Sequence, residues 1–305
     1  MTATQKRRLL VARDVLLLWH DSQPRRFAWR KKVRKPYTVF LCEMMGQQTQ
    51  ATRIAEYLSK FLEAFPTPND LASAKVSEVI KLWQGLGYNR RAINLHRAAT
   101  IIVKDHNGKL PNTYNELIAL PGIGPYSANA ILVFAFEQPV SAIDINVSRV
   151  LTRLSRKSRH EDLLPKEKVE EISNEILPIA QVRSWHEAIM DLGATICTKR
   201  NPKCSSCPLV EHCPSNTLES EARKNIPINR SIETQYFGYP KRIWRGRMLR
   251  YISANSKITK RELRSYLSSE FKIAPTDATS LLTLALIELE REGFITIKNE
   301  QLTLA

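Results

Sequence analysis

The chain has 305 residues, 43% hydrophobic and 25% charged, with 46 Lys and Arg against 30 Asp and Glu, a formal charge of +16. That length buries more than one core and suggests about two domains. The cationic excess goes beyond what solubility requires and implies a polyanionic partner, nucleic acid first. No apolar run approaches the roughly 18 residues of a membrane span, which excludes a membrane partner and points to a soluble, intracellular protein.

In chain order, the opening MTATQKRRLLVARDVLLLWH reads as a charged amphipathic helix rather than a signal peptide. From Thr49 to Phe65 the residues Ile54, Tyr57, Leu58, Phe61, Leu62 and Phe65 recur at helical spacing, and similar stripes run over 76–83 and 92–103. The same period predicts helices over 117–120, 128–136, 147–154, 169–179 and 185–196, with almost no alternation of period two. Residues 1–215 are therefore expected to be all-α. A polar stretch rich in Ser, Glu and Asn makes 216–235 a linker.

Residues 236–305 form a different unit. Helices are expected over 242–252 and 276–291, with Thr259-Lys-Arg-Glu262 a capping-box start between them, and FITIKNEQLTL a hairpin turning at 298–300. Three helices and a hairpin predict a small α+β, winged-helix-like domain, with DNA or a protein as its partner. In YPKRIWRGRMLRY, Lys241, Arg242, Arg245, Arg247 and Arg250 lie among Trp244 and Tyr251, a pattern that suits phosphate contact with aromatic stacking. The competing reading makes Trp244, Leu249 and Ile252 core and the cations a solvated face.

Four cysteines, Cys197, Cys204, Cys207 and Cys213, are spaced C-x6-C-x2-C-x5-C. Four soft thiolates this close suit the four iron corners of a [4Fe-4S] cube. Zinc sites more often pair two short clips across a longer stretch, and here one clip exists. A disulfide framework fits five cysteines in a chain of this length less well.

Leu120-Pro-Gly-Ile-Gly124 joins two predicted helices; Gly122 and Gly124 permit a tight turn whose backbone N–H groups can meet a DNA phosphate. Asp144 follows in SAIDINVSRV at the start of another helix, where an aspartate caps the helix N-terminus for about 1 kcal/mol. Hairpin, aspartate and downstream cysteines in this order resemble the helix-hairpin-helix DNA glycosylases over roughly residues 10–215. The resemblance implies two helical subdomains, a helical barrel over about 25–137 and an iron–sulfur subdomain of 1–24 with 138–215. It also implies an aspartate that stabilises the sugar cation formed as the glycosidic bond of a flipped base breaks.

Within that family, endonuclease III-type enzymes place an attacking lysine two residues after the second hairpin glycine, where this chain has Tyr126. Pro36 to Gln50, PYTVFLCEMMGQQTQ, resembles the adenine glycosylases, in which a buried glutamate precedes a QQT triplet. Desolvation in an apolar run favours the acid form, so Glu43 is the expected general acid that protonates the purine. By the same resemblance, Tyr126 and Asn146 hold the Asp144 carboxylate, and Trp29, Arg30 and Glu187 line the base pocket. Gln47, Gln48 and Thr49 fill the gap or read the opposite base, Tyr88 of Gly85-Leu-Gly-Tyr88 wedges beside the orphaned base, and Lys199, Arg200 and Lys203 clamp phosphates on the cluster loop. The implied protein is a monomeric, monofunctional glycosylase without strong lyase activity. It would remove adenine opposite 8-oxoguanine or guanine in double-stranded DNA, in the cytoplasm and at the nucleoid if the cell is prokaryotic. Gly46 replaces a larger apolar residue, and no Nudix-like domain follows. The alternatives are a thymine or uracil glycosylase acting on mismatches with guanine, and a non-catalytic iron–sulfur regulator that binds DNA.

Overall fold

The computed structural model describes all residues except 23, 24, 26, 28, 32, 158–161, 217–234 and 256, so the expected linker at 216–235 lies, but for its two ends, outside the described residues. The helical part runs through α1 (Ala3–Ser22), α2 (Pro36–Gly46), α3 (Ala51–Ala64), α4 (Pro68–Ser73), α5 (Val76–Trp83), α6 (Arg90–His106), α7 (Tyr114–Ile118), α8 (Pro125–Phe136), α9 (Ile145–Ser155), α10 (Lys166–Glu175) and α11 (Val182–Thr195). There follow β1 (Gln235–Tyr236), β2 (Tyr239–Pro240), α12 (Lys241–Ala254), β3 (Ile258–Thr259), α13 (Lys260–Phe271), α14 (Pro275–Arg291), β4 (Ile295–Lys298) and β5 (Gln301–Leu304). Among the described residues no helix is long and apolar enough to cross a membrane.

Two compact units emerge: Met1–Val39 with Asn112–Ala119 and Ile123–Ile228, and Phe40–Pro111 with Leu120–Gly122 and Asn229–Ala305. In the first, Leu9, Ala12 and Leu16 put one stripe of α1 against Val150 and Leu151 of α9, Ile172 of α10 and Trp185 and Ile189 of α11. Cys197, Cys207 and Cys213 are partly buried against this core, which seats the cysteine loop on the helices. The helix expected over 169–179 stops at Glu175, because Pro178 cannot donate a backbone hydrogen bond and restricts the residue before it.

In the second unit Phe61 of α3 meets Trp83 of α5 edge-on at 5.8 Å. Ile80 of α5 and Ile93 of α6 join one core with Trp244, Leu249, Phe271 and Leu286, so residues beyond the linker share apolar packing with α5 and α6. Each large side chain buried there contributes about 1.5–3 kcal/mol. The strands β3, β5 and β4 form an antiparallel sheet in that order, with Leu302 opposite both Ile258 and Ile297. The expected three helices and hairpin appear in that order as α12, α13, α14 and β4–β5, and the short strands β1, β2 and β3 are additions to the expected elements. Thr259 caps α13 in a capping box with Glu262, and Asn299 and Glu300, both at positive φ, make the two-residue turn of the β4–β5 hairpin.

Trp244 does not serve the stacking role that the cations around it suggested. It is 1% exposed, its N–H donates to the Tyr236 carbonyl at 3.0 Å, and its ring stacks on Phe271. Tyr251 stacks on Tyr266 at 4.1 Å.

Candidate active site

Glu43 stands half-buried on α2, between Phe40 and Leu41 on one side and Met44 and Met45 on the other, all four fully buried. The chain leaves this helix through Gln48, whose φ is 57°. Arg91, 7% exposed, locks that exit: its guanidinium donates to the carbonyls of Met44 and Met45 at 3.1 and 2.8 Å, to Thr49 Oγ1 at 3.0 Å and to the Gly87 carbonyl at 3.0 Å. Burial lowers the Arg91 pKa to about 10, and the guanidinium lies over the rings of Trp83 and Tyr88. One buried cation therefore ties the Gln47–Thr49 segment to the turn at Gly85–Tyr88.

That turn is held in left-handed backbone. Gly85, Gly87 and Tyr88 have φ of 100°, 77° and 47°, and a Cβ on Gly85 would collide with the Tyr57 hydroxyl. For a bulky residue such as Tyr88, a positive φ costs of order 1–3 kcal/mol and marks a segment that its surroundings hold in place. Tyr88 is 57% exposed. Gln47 Nε2 donates to the Gly122 carbonyl at 2.9 Å. Gly122 has φ 85°, and a Cβ there would stand 2.8 Å from Met44 Cε and 3.0 Å from Asn94 Cβ, so glycine is obligatory. Gly124 differs from what its place in the hairpin suggested: its φ is −99° and a Cβ would meet nothing within 4 Å. It is the N-cap of α8, whose first residue, Pro125, has no N–H to leave unpaired.

In the other unit Asp144 is the N-cap of α9. Its Oδ1 accepts from the Val147 N–H at 2.7 Å and its Oδ2 from Asn146 Nδ2 at 2.8 Å, which fixes the plane of the carboxylate. Arg149, 5% exposed, donates to Asn146 Oδ1 at 2.8 Å, to the Gly193 carbonyl at 2.8 Å and to the Cys197 carbonyl at 2.9 Å. A continuous run of hydrogen bonds thus leads from Asp144 through Asn146 and Arg149 to the first cysteine of the loop. Arg153 continues it, with Nη1 3.3 Å from Cys197 Sγ and 2.9 Å from the Thr198 carbonyl. Tyr126 packs beside Ala130, Val133, Ala142 and Val182.

Of the expected base-pocket residues, Glu187 is 8% exposed and paired with Arg34, with Arg30 Nε 3.6 Å away. Asp191, 1% exposed, takes a bidentate pair from Arg30 at 2.6 and 3.0 Å. Trp29 stacks on Phe27 at 4.8 Å. Arg34, Arg149, Asp191 and Gly193 were not singled out from the sequence; the acidic pair Glu187 and Asp191, one helical turn apart on a largely apolar helix face, was the signal that could have raised this network.

The four loop cysteines are half-buried, and none is joined to another in a disulfide. Burial pushes the Cys207 thiol up to about 12 and the Cys213 thiol up to about 11, and the other cysteines of the loop push both further in the same direction. Four crowded, partly buried sulfurs become thiolates together only against a strong local positive charge, and an all-sulfur set of four fits an iron–sulfur cube. Lys199, Arg200 and Lys203 are exposed on the same loop.

Residues 41–178 match the family of HhH-GPD superfamily base excision DNA repair proteins, and residues 197–213 match the iron–sulfur binding domain of endonuclease III. That second match runs from Cys197 to Cys213, so the cysteine loop is the one that carries a [4Fe-4S] cluster. The adenine DNA glycosylase of Mycobacterium tuberculosis is 36% identical over 197 residues, 64% of this chain and 64% of that protein. The chain thus spans just under two thirds of that relative's length. The adenine DNA glycosylase of Mycolicibacterium smegmatis is 30% identical over 293 residues, 93% of this chain and 95% of that protein. Among solved structures, a thermostable thymine-DNA glycosylase superposes with a TM-score of 0.64 at 26% identity, covering 71% of this chain and 99% of that one.

Proposed function

We propose, from the premise that this chain belongs to the adenine DNA glycosylase family of the HhH-GPD superfamily, that it removes mispaired adenine from double-stranded DNA by hydrolysing the N-glycosidic bond of a flipped nucleotide. The observation that carries this reading is the Asp144 carboxylate, held in one plane by two donors at the N-terminus of α9. A carboxylate fixed in this way needs no reorganisation to stabilise a positive charge that develops beside it.

In the proposed sequence Glu43 gives its proton to a ring nitrogen of the adenine, which then departs as the neutral base. The electrons of the breaking bond leave with the base, and the C1′ cation that remains is stabilised by Asp144. Water adds its hydroxyl to C1′ and returns a proton to Glu43, leaving an abasic site. Asn146 orients Asp144, and Tyr126 in place of the attacking lysine is the reason that strand cleavage is not expected. Glu187 with Arg30, Arg34 and Trp29 would receive the base. Gln47, Gln48, Thr49 and Tyr88 would fill the space it vacates, and Lys199, Arg200 and Lys203, with the hairpin turn at Gly122 and Gly124, would hold phosphates. The enzyme would act as a monomer inside the cell, on adenine opposite 8-oxoguanine or guanine.

The test is base release from four duplexes, carrying A opposite 8-oxoguanine, A opposite G, T opposite G and U opposite G, with abasic sites revealed by alkali. Release confined to adenine is expected. Release confined to T or U would replace this reading with that of the thymine glycosylases.

A further inference from the structure

The second unit contains a cleft of about 930 Å³; Gln47, Gln48 and Tyr88 reach it from the reaction above, but its opposite wall on α12 has no part in that reaction. One wall is the segment from Gln84 to Asn94 with Gln47 and Gln48; the other is the first two and a half turns of α12 with Phe294 at its edge. Six cations line it besides the buried Arg91, namely Arg90, Lys241, Arg242, Arg245, Arg247 and Arg250, and no carboxylate lines it. Acids stand behind several of them: Glu288 takes Lys241 at 2.7 Å and Arg245 at 3.1 Å, Glu292 takes Arg245 at 2.7 Å, and Glu270 takes Arg247 at 3.1 Å. These pairs engage the charged ends themselves, Lys241 Nζ, both Nη groups of Arg245 and Nη1 of Arg247, which leaves Arg90 and Arg250 as the exposed cations on which the test rests. Partly exposed pairs contribute little by themselves, and a paired guanidinium keeps further N–H groups to offer a second anion.

Gly246 lies on the α12 wall of the cleft. It lies in the middle of α12, where glycine costs about 1 kcal/mol relative to alanine, yet a Cβ there would meet nothing within 4 Å. Packing within the protein therefore does not require the glycine, whereas a ligand running close along the helix would. The facing wall bears neutral groups suited to a nucleotide: the amides of Gln48, Asn89 and Asn94, and Tyr88, exposed and held in left-handed backbone. Stacking and amide donors interleaved with cations match a strand of phosphates and bases better than an acidic peptide.

We propose that this cleft binds a phosphodiester strand between the Gln84–Asn94 segment and α12, so that the C-terminal module is part of the DNA grip. The identity of the strand as DNA rests on the glycosylase reading. The experiment uses the full chain with its cluster and measures binding to an undamaged, fluorescently labelled duplex across a series of salt concentrations. The slope of log affinity against log salt falls by about 0.9 for each phosphate that the protein no longer neutralises. The double variant Arg90→Ala/Arg250→Ala, both residues exposed, is expected to lower that slope by about 2 and the affinity at physiological salt by tenfold or more. Gly246→Ala is expected to raise the thermal midpoint while weakening binding severalfold, a combination that loss of folding does not produce. An unchanged slope in the double variant, or Gly246→Ala with wild-type affinity, overturns the proposal. Base release by the wild-type protein is measured alongside. Release with an unchanged slope refutes the cleft alone, and a reduced slope without release refutes the glycosylase reading alone.

Discussion

Gly193→Ala adds a single methyl group where α11 meets Asn146 at the start of α9. The new Cβ would stand 2.8 Å from Asn146 Cβ and 3.4 Å from the Asn146 carbonyl oxygen. Ordinary contact begins at 3.4 Å, so Asn146 must retreat by about 0.6 Å. Asn146 Nδ2 now lies 2.8 Å from Asp144 Oδ2; passed on in full, the retreat opens that bond to about 3.4 Å, the limit of a useful hydrogen bond. A bond to a charged acceptor contributes about 1.5–3 kcal/mol, and its loss from the transition state slows the reaction about ten- to hundredfold. Stability falls by about 0–2 kcal/mol, since overpacking costs about 1–3 kcal/mol and alanine in a helix returns about 1 kcal/mol. Single-turnover release of adenine, read beside the thermal midpoint, separates the two effects. A wild-type rate with an unchanged midpoint would refute the reasoning.

Burial holds the His186 pKa down to about 4, and the ring accepts from the Ala142 N–H at Nε2 and donates to the Val182 carbonyl at Nδ1, a pattern that needs the neutral tautomer. The unfolded chain binds this proton below about pH 6.5, so the contribution is complete above that value and is lost as pH falls toward about 4; denaturant titrations of wild type and His186→Gln between these values should show a shallower pH dependence in the variant. Arg91→Met leaves the Met44, Met45 and Gly87 carbonyls without their donor and should cost about 3 kcal/mol or more, seen as a lower thermal midpoint. Cys207→Ser should abolish the visible absorption of the cluster and reduce the salt dependence of DNA binding by up to about 3, as Lys199, Arg200 and Lys203 lose their loop; an intact slope in the cluster-free protein would separate the cations from the cluster.

The helices were legible wherever one apolar stripe faces one core. The stripe over 76–83 coincides with α5, and that from Thr49 contains α3. α4 escaped because six residues carry too short a period, although Thr67, Pro68 and Asp70 spell its capping box. The two-residue strands escaped for the same reason. At the site, the residues singled out are those whose local setting is distinctive: a glutamate inside an apolar helix, an aspartate at a helix start, glycines between helices. Nothing in the local sequence sets Arg149 and Arg91 apart from other cations, and only the folded chain brings Arg149 to the Gly193 and Cys197 carbonyls and Arg91 to those of Met44 and Met45. Glu187 shows the limit most clearly, since its partner Arg34 is 153 positions away.

The account turns on Asp144 as the group that stabilises the breaking bond, and the most direct measurement is single-turnover release of adenine by Asp144→Asn beside its affinity for the same duplex. Removing a preorganised charge of this kind costs about a hundredfold or more in rate, and the amide keeps an oxygen that can still cap α9 and leaves the DNA-contacting loops untouched. The prediction is loss of base release with affinity near wild type. Base release at the wild-type rate by this variant would contradict the mechanism.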